Sequence, residues 1–347
     1  MNENQNTVET QDVIHDAYTW GELKNTAFDY EALLEPYIPQ VGIAAVVGMP
    51  DSGKSMLCRN LAFAVAYGEQ EFLGLPLRPR HQRALFVTTE DTVEATKYCF
   101  GKIGSTYPQE NAEQSDNNLH LLLADDLTPD EIVARIEEYL SATGFDLVII
   151  DAYGDVFRGG EGNSNIQNRN SLRPFSVLAK KHGLAIVFVH HTNKAARNLS
   201  PDHVHVQGGS GFVQKVRTVL ELRPSKEDNA VKFLACTKGN GVPDQFKKEA
   251  LVLKFDAENF RYHNTGDKKK VMDLKFDQGP TAIEKIRGDE LFRSDEEGLT
   301  RQDLVKRIEQ QFAVSESTAK RWLNANLKTT SRGIYANPAF TSAKEAT

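Results

Sequence analysis

Eight consecutive residues, Gly48 to Ser55, read GMPDSGKS and fit the pattern G-x-x-x-x-G-K-[ST] of a phosphate-binding loop, or P-loop. Gly48 and Gly53 would let backbone N–H groups close around phosphate oxygens at the positive end of the following helix. Lys54 would reach the β- and γ-phosphates of ATP, and the Ser55 hydroxyl would bind Mg²⁺. The remaining residues counted with this ATP-binding loop are Pro50, Asp51, Ser52 and Met56.

The flanking sequence places this loop between a strand and a helix. Residues 41–47 form an apolar, β-branched run, which is typical of a buried parallel strand. After Ser55, apolar residues recur at helical spacing from Met56 to Ala66. A chance glycine-rich turn is the alternative, but it does not explain the full pattern between these two elements.

Two further predicted strands end in acidic residues. The run 84–89 leads to Glu90 and Asp91, and the run 145–151 ends in Asp151. Ligands bind beyond the carboxyl ends of strands in open parallel sheets. Asp151 would therefore help to hold Mg²⁺ opposite the P-loop, as a Walker B carboxylate does. Glu90 is the candidate base that activates the attacking water, whereas the alternative of a helix-start acid suits Asp91 better.

The next predicted core strand, 185–189, is followed by the polar sequence HHTNK. His190 and His191 would point to opposite faces of an extended chain, so they are poor partners for a single metal ion. A polar residue at this strand tip could sense the γ-phosphate; a pair of solvated loop histidines is the alternative. Glycine- and asparagine-rich loops follow two of these strands, at 158–165 and 193–209, and such long loops are usually functional or disordered.

Strands alternate with helices in the first part of the chain, and a run of antiparallel strands follows. This order predicts an α/β fold with a mostly parallel sheet, antiparallel edge strands and helices on both faces. The predicted organisation is a disordered tail (1–15), an ATPase domain (16–260), a linker (261–279) and a small C-terminal domain (280–347).

The C-terminal domain is predicted to be a winged-helix or helix-turn-helix unit. Thr300 is placed to cap one helix and Ser315 to cap a second. Two helices joined by so short a turn suggest helix-turn-helix, with Lys320 and Arg321 near the start of the recognition helix. Contact with DNA through these cations and docking to a protein are both open, since the unit is near neutral overall.

Composition excludes several classes of protein. The net charge of −7 over 347 residues argues against a wholesale nucleic-acid binder. The three cysteines, Cys58, Cys99 and Cys236, lack metal-ligand spacing and fit a reducing cytoplasm. No run approaches the roughly 18 apolar residues of a membrane span. We therefore expect a cytoplasmic protein without a membrane partner.

Several segments together resemble one family of ATPases. They are GMPDSGKS (48–55), TTED (88–91), LVIID (147–151), VHHTNK (189–194), GGSGFVQKVRTVLEL (208–222) and TKGNG (237–241). They resemble the RecA- and DnaB-like P-loop ATPases and, within these, the AAA_25-like branch of RepA-type hexameric replicative helicases. The resemblance implies a homo-oligomeric ring, a hexamer, with ATP between subunits and Glu90 as catalytic base. It also implies that His191 couples the γ-phosphate to DNA, and that Arg217 and Lys238 reach a neighbour's ATP.

The same resemblance implies a DNA helicase or translocase for the replication of a plasmid, phage or other mobile element. Single-stranded or forked DNA would contact Arg158, Lys194 and Arg197 in the two loops. These loops carry few cations and little aromatic content, which keeps a second interpretation open. That interpretation is a KaiC-like or loader-type ATPase switch that assembles on DNA or recruits partners without unwinding. A non-enzymatic DNA-binding protein is disfavoured by Glu90 and Asp151.

Overall fold

The structure is a computed structural model in which the chain divides into two compact units, residues 1–275 and 276–347. The residues that it describes are 18–25, 31–108, 115–156, 169–193, 196, 199–274, 286, 290–293, 296, 298–312, 314–327, 329 and 334–336.

The strands of the first unit are β1 (Ala32–Leu34), β2 (Ile38–Pro39), β3 (Gly42–Gly48), β4 (Glu71–Phe72), β5 (Leu75–Pro76), β6 (Ala84–Thr88), β7 (Leu119–Leu123), β8 (Leu147–Asp151), β9 (Ala185–His191), β10 (Thr218–Pro224), β11 (Val231–Gly239), β12 (Glu249–Asp256) and β13 (Arg261–Lys270). Its helices are α1 (Trp20–Asn25), α2 (Lys54–Ala66), α3 (Val93–Gly104), α4 (Pro129–Ala142), α5 (Tyr153–Val156), α6 (Arg173–His182), α7 (Gly209–Lys215) and α8 (Gln245–Lys248). Short 3₁₀ turns occupy His203–His205 and Val271–Asp273.

In the described part of the first unit, nine strands form one sheet in the order β13-β12-β11-β10-β3-β9-β8-β6-β7. The strands from β10 to β7 pair in parallel. The strands β10 to β13 pair antiparallel with one another along the chain. The predicted α/β fold class, a mostly parallel sheet with an antiparallel edge, is confirmed.

Helices cover both faces of this sheet. On one face, Ala44 and Val46 of β3 belong to a core that includes Leu61 of α2. On the other face, Ala45 belongs to a second core that includes Phe175 of α6. A parallel strand covered on both sides needs apolar residues at successive positions, which explains the continuous apolar run of β3. Within the described ranges, none of the helices combines the length and the apolar character that crossing a bilayer demands.

Residues 261–270, predicted to begin a polar linker, instead form β13 at the edge of the sheet. Tyr262 is buried, and its ring centre lies 5.0 Å from that of Phe255 on β12. Its backbone N–H donates to Oδ1 of the buried Asn60 on α2 at 2.9 Å. The strand escaped prediction because most of its side chains are polar and exposed, as is common at sheet edges. The linker prediction is therefore wrong for these ten residues.

The second unit contains β14 (Gly298–Thr300), α9 (Arg301–Phe312), α10 (Glu316–Asn326) and β15 (Ile334–Ala336), with β14 and β15 paired antiparallel. The Ser315 hydroxyl accepts a hydrogen bond from the Thr318 N–H at 3.4 Å, so Ser315 caps α10 as predicted. The buried core of this unit includes Leu304, Ile308, Ala319, Trp322 and Leu323. Both predicted helices are present, and the winged-helix or helix-turn-helix assignment stays a prediction.

Candidate nucleotide-binding site

The carboxyl ends of the parallel strands lie together at one end of the sheet, and most of the predicted catalytic residues lie there. Strand register places Gly48, at the end of β3, beside His191, at the end of β9. Register also places Asp151, at the end of β8, beside Thr88, at the end of β6. The loop after β3 and the turn after β6 therefore border the same space, since parallel strands share a carboxyl edge.

Tight backbone geometry shapes the P-loop between β3 and α2. Asp51 and Gly53 have positive φ values of 58° and 95°, and glycine adopts such values without steric cost. At Gly48, an added Cβ would lie 2.4 Å from the carbonyl oxygen of Leu222 on β10. A side chain at this position would therefore push the two strands apart.

Lys54 is the first residue of α2, and its side chain is buried in the P-loop. Its Nζ donates to the Met49 carbonyl at 2.7 Å and to Ser52 Oγ at 3.4 Å. Burial lowers the pKa of Lys54, and the charges of Asp151 and Glu90 partly oppose this shift. A cation at the amino end of a helix, beside the first backbone N–H groups of that helix, is suited to phosphate.

Ser55 and Asp151 offer two oxygen ligands for a cation. The Ser55 hydroxyl donates to Asp151 Oδ1 at 3.0 Å. Burial raises the pKa of Asp151 to about 6, and the Ser55 hydrogen bond acts in the opposite direction. Mg²⁺ prefers oxygen ligands and is usually held by one or two protein groups together with phosphates and water. The pair fits this ion, and the described residues contain no group of three or more His, Cys, Asp and Glu that could hold a metal elsewhere.

The turn after β6 places its two acids in different environments. Glu90 is exposed, and its negative charge acts to raise the pKa of Lys54, against the lowering by burial. Asp91 forms an ion pair with Arg59 of α2. Its carboxylate also accepts a hydrogen bond from Thr88 Oγ1 at 3.3 Å. Asp91 is therefore engaged within the protein, while the role of Glu90 as catalytic base stays a prediction.

His190 points into the core, on the side of the sheet opposite the P-loop helix. Its Nε2–H donates to the Gln207 carbonyl at 2.9 Å. Its ring centre lies 4.7 Å from that of Tyr153 and 4.8 Å from that of Phe212. Burial lowers the pKa of His190 to about 4. The alternative of two solvated histidines is therefore wrong for His190.

His191 lies on the other face of β9, as the prediction of opposite faces requires. Val187 and Val189 belong to the core on the α2 side, and alternation along the strand puts His191 on that side too. Its register partner is Gly48, and the N–H of the next residue, Thr192, donates to the Gly48 carbonyl at 3.2 Å. This position next to the P-loop is compatible with the predicted sensor role.

Arg217 and Lys238 lie at the other end of the sheet, where the parallel strands begin. The backbone N–H of Arg217 donates to the carbonyl of Ile43, near the start of β3, at 2.7 Å. The carboxyl end of β3 is about 16 Å away, at roughly 3.3 Å per residue. Lys238 Nζ donates to the carbonyls of Val213 at 2.5 Å and Val216 at 2.6 Å, at the end of α7. Neither cation lies at its own chain's P-loop, so a role in hydrolysis would need the ATP of another subunit.

The predicted DNA contacts divide into two groups. Arg158, Lys194 and Arg197 lie outside the described residues. Lys320 and Arg321 are exposed on α10 of the second unit, where Lys320 Nζ pairs with Glu316 at 2.6 Å. DNA contact by all five residues stays a prediction.

Comparison with known proteins adds the family. The model of a family described as "AAA_25: AAA domain" matches residues 11–197, more than half of the chain. The chain belongs to the AAA_25 family. The matched range includes the P-loop, Glu90, Asp151 and His191, and it ends before Arg217. Among solved structures, one described as an "ATPase Domain" is similar with a TM-score of 0.49 and 11% identity, over 65% of this chain and 85% of that one. No curated protein matches.

Sequence reasoning missed three residues of the AAA_25 protein that contact the P-loop or lie on the helix after it. Tyr262 Oη donates to the Gly53 carbonyl at 3.3 Å, and a Cβ added at Gly53 would lie 2.1 Å from this hydroxyl. Arg59 and Asn60 of α2 are 6% and 1% exposed. Their signal in the sequence is a cation and an amide at successive positions within an otherwise apolar helix.

A second buried ion pair lies on β10, which borders the P-loop strand. Arg223 pairs with Glu221, and both side chains are almost fully buried. Arg223 also donates to the carbonyls of Leu274 at 2.8 Å and Ala196 at 3.2 Å. It therefore ties Ala196, five residues after β9, to the sheet.

Proposed function

We propose that this AAA_25 protein binds MgATP and hydrolyses it. The observation that supports the proposal is the convergence of Lys54, Ser55, Asp151 and Glu90 at one edge of the parallel sheet. Lys54 would neutralise charge on the β- and γ-phosphates. Ser55 and Asp151 would hold Mg²⁺, which neutralises the charge developing on the transferred phosphate. Glu90 would accept the proton of the attacking water.

We further propose that the ATP site is shared between the subunits of a hexameric ring. The support is the location of Arg217, which is exposed and lies at the edge of the sheet away from its own P-loop. In a ring, its guanidinium would reach the neighbour's γ-phosphate and stabilise transition-state charge. Lys238, bound to the end of α7, would set the position of that helix beside Arg217.

Hydrolysis would drive translocation on single-stranded DNA or unwinding of forked DNA. The segments that carry Arg158, Lys194 and Arg197 follow β8 and β9, whose ends carry Asp151 and His191. The state of the γ-phosphate would thereby be passed to DNA contacts over a short stretch of chain. Lys320 and Arg321 would offer a second contact. Replication of a plasmid, phage or other mobile element in the cytoplasm is the process that we propose.

The hydrolysis proposal is tested with three single variants. Lys54→Ala should lose nucleotide binding. Glu90→Gln should keep binding and lose turnover by about 10²- to 10⁴-fold, the usual effect of removing a general base. Glu94→Gln, at an exposed glutamate on α3, is the matched control and should leave the rate unchanged. Turnover of the Glu90→Gln variant at the wild-type rate would overturn the assignment of the base.

The motor proposal is tested by measuring ATPase rates with and without single-stranded DNA, and then strand displacement on a forked duplex. DNA-stimulated hydrolysis with displacement would support a motor. An ATPase rate that DNA does not change, together with no strand displacement, would overturn the motor proposal in favour of an ATPase switch.

The shared site is tested by mixing Arg217→Ala with Lys54→Ala. Each variant damages a different half of a site between subunits, so mixed rings should contain some intact sites and regain activity. Failure to rescue at any ratio would contradict the proposal. Electron micrographs recorded with ATP would show the ring and its size.

A further inference from the structure

Arg59 is a buried cation on the helix that begins with the P-loop lysine. It lies four residues after Ser55 and is 6% exposed. Its guanidinium carbon lies 5.8 Å from the ring centre of Phe86 and 5.9 Å from that of Phe100. Burial of a cation is costly unless the group is paired and hydrogen-bonded. The group that pairs with the buried Arg59 therefore indicates the role of this arginine.

That partner is Asp91, in the turn between β6 and α3. Arg59 Nη2 is paired with Asp91 Oδ2. The Asp91 backbone N–H donates to Thr88 Oγ1 at 3.2 Å, and the same hydroxyl donates to the Asp91 carboxylate at 3.3 Å. These contacts attach the turn to the Arg59 guanidinium, which lies beside two aromatic rings.

Glu90 lies between two anchored residues of this turn. On one side, the Thr89 N–H donates to the Asp151 carbonyl at 2.9 Å, which ties Thr89 to β8. On the other side, Asp91 is tied to Arg59. Catalysis needs its groups held to within about 0.5 Å, and an exposed glutamate on an unanchored turn would not meet that requirement.

We propose that Arg59 is a positioning residue that fixes the β6–α3 turn through Asp91 and thereby holds Glu90 toward the P-loop. The inference rests on the proposed function, in which Glu90 is the base. The rival explanation is that the pair only stabilises the fold, a role that apolar residues often fill as well as buried ion pairs do.

The first test measures the turn itself and needs no hydrolysis. Amide hydrogen exchange over residues 88–92 should be faster in Arg59→Met than in the wild-type chain. Arg261→Met is the matched control, because Arg261 also stacks on an aromatic ring, 4.6 Å from the centre of Tyr107, and pairs with Glu69 at 3.7 Å. It should leave exchange in the turn unchanged. Equal exchange in wild type and Arg59→Met would overturn the proposal.

The second test measures ATP turnover. Arg59→Met should lower kcat by on the order of tenfold or more, because small misplacements of a catalytic group are costly. KM should change far less, since the P-loop is intact. Arg59→Lys keeps the charge but loses the planar fork, so it should restore part of kcat. Asp91→Asn should reproduce the defect, and it replaces Arg59→Met if that variant fails to fold.

A double-mutant cycle separates positioning from general stabilisation. If Arg59 acts through Glu90, Arg59→Met should cause little further loss of turnover in a Glu90→Gln background. Losses that add in full would overturn the proposal. A wild-type chain that does not hydrolyse ATP would instead overturn the proposed function, and amide exchange in the turn would still decide whether Arg59 anchors it.

Discussion

Tyr262 is the side chain through which a polar edge strand supports the P-loop. It is 5% exposed, its ring packs against Phe255, and its hydroxyl donates to the Gly53 carbonyl at 3.3 Å. Tyr262→Phe keeps the ring and removes one long hydrogen bond, which is worth about 0.5–1.5 kcal/mol. Tyr262→Ala also removes the ring, and deletion of a buried aromatic side chain costs about 3–5 kcal/mol.

Thermal unfolding and nucleotide titration measure the two consequences. In a domain of this size, each kcal/mol shifts Tm by about 2–4 °C, so we expect losses of about 1–6 °C for Tyr262→Phe and about 6–20 °C for Tyr262→Ala. Affinity for MgATP should fall in Tyr262→Ala by on the order of tenfold, or about 1.4 kcal/mol, because Gly53 loses its support. Val177→Ala, at a side chain that is 55% exposed on α6, is the control and should change stability by less than about 0.5 kcal/mol.

Two outcomes would refute this reasoning. If Tyr262→Ala unfolds at the same temperature as Tyr262→Phe, the ring does not contribute the packing that its burial implies. If Tyr262→Ala loses stability but keeps wild-type affinity for MgATP, β13 stabilises the domain without supporting the P-loop.

Three further predictions concern other parts of the AAA domain. The pKa of His190 is about 4 in the folded chain, below its ordinary value of 6.5, so the unfolded chain binds the extra proton as the pH falls between these values. The free energy of unfolding should therefore drop by up to about 3 kcal/mol over this interval, and denaturant titrations of His190→Gln should show a smaller drop. Gly48→Ala should lower the free energy of unfolding by about 1–3 kcal/mol in denaturant titrations, since its Cβ would meet the Leu222 carbonyl. The same variant should bind MgATP more weakly. Lys238→Met should lower Tm, because two carbonyls at the end of α7 lose their donor; an unchanged Tm would contradict that contact.

The core strands could be predicted because their sequences carry a local signal. The strands β3, β6, β8 and β9 are apolar at nearly every position, which only a sheet covered on both faces requires. The edge strand β13 has no such signal. Its polar residues resemble a linker, and a single buried Tyr262, paired with Asn60 about two hundred residues earlier, places it in the sheet.

The sequence by itself indicated the P-loop and Asp151, because a P-loop and a strand ending in aspartate are local patterns of residue types. Only the tertiary structure decided how those groups are held. The pairing of Arg59 with Asp91 and the hydrogen bond from Tyr262 to Gly53 join residues that are far apart in the chain. Such contacts depend on strand order and helix packing, which no short stretch of sequence specifies.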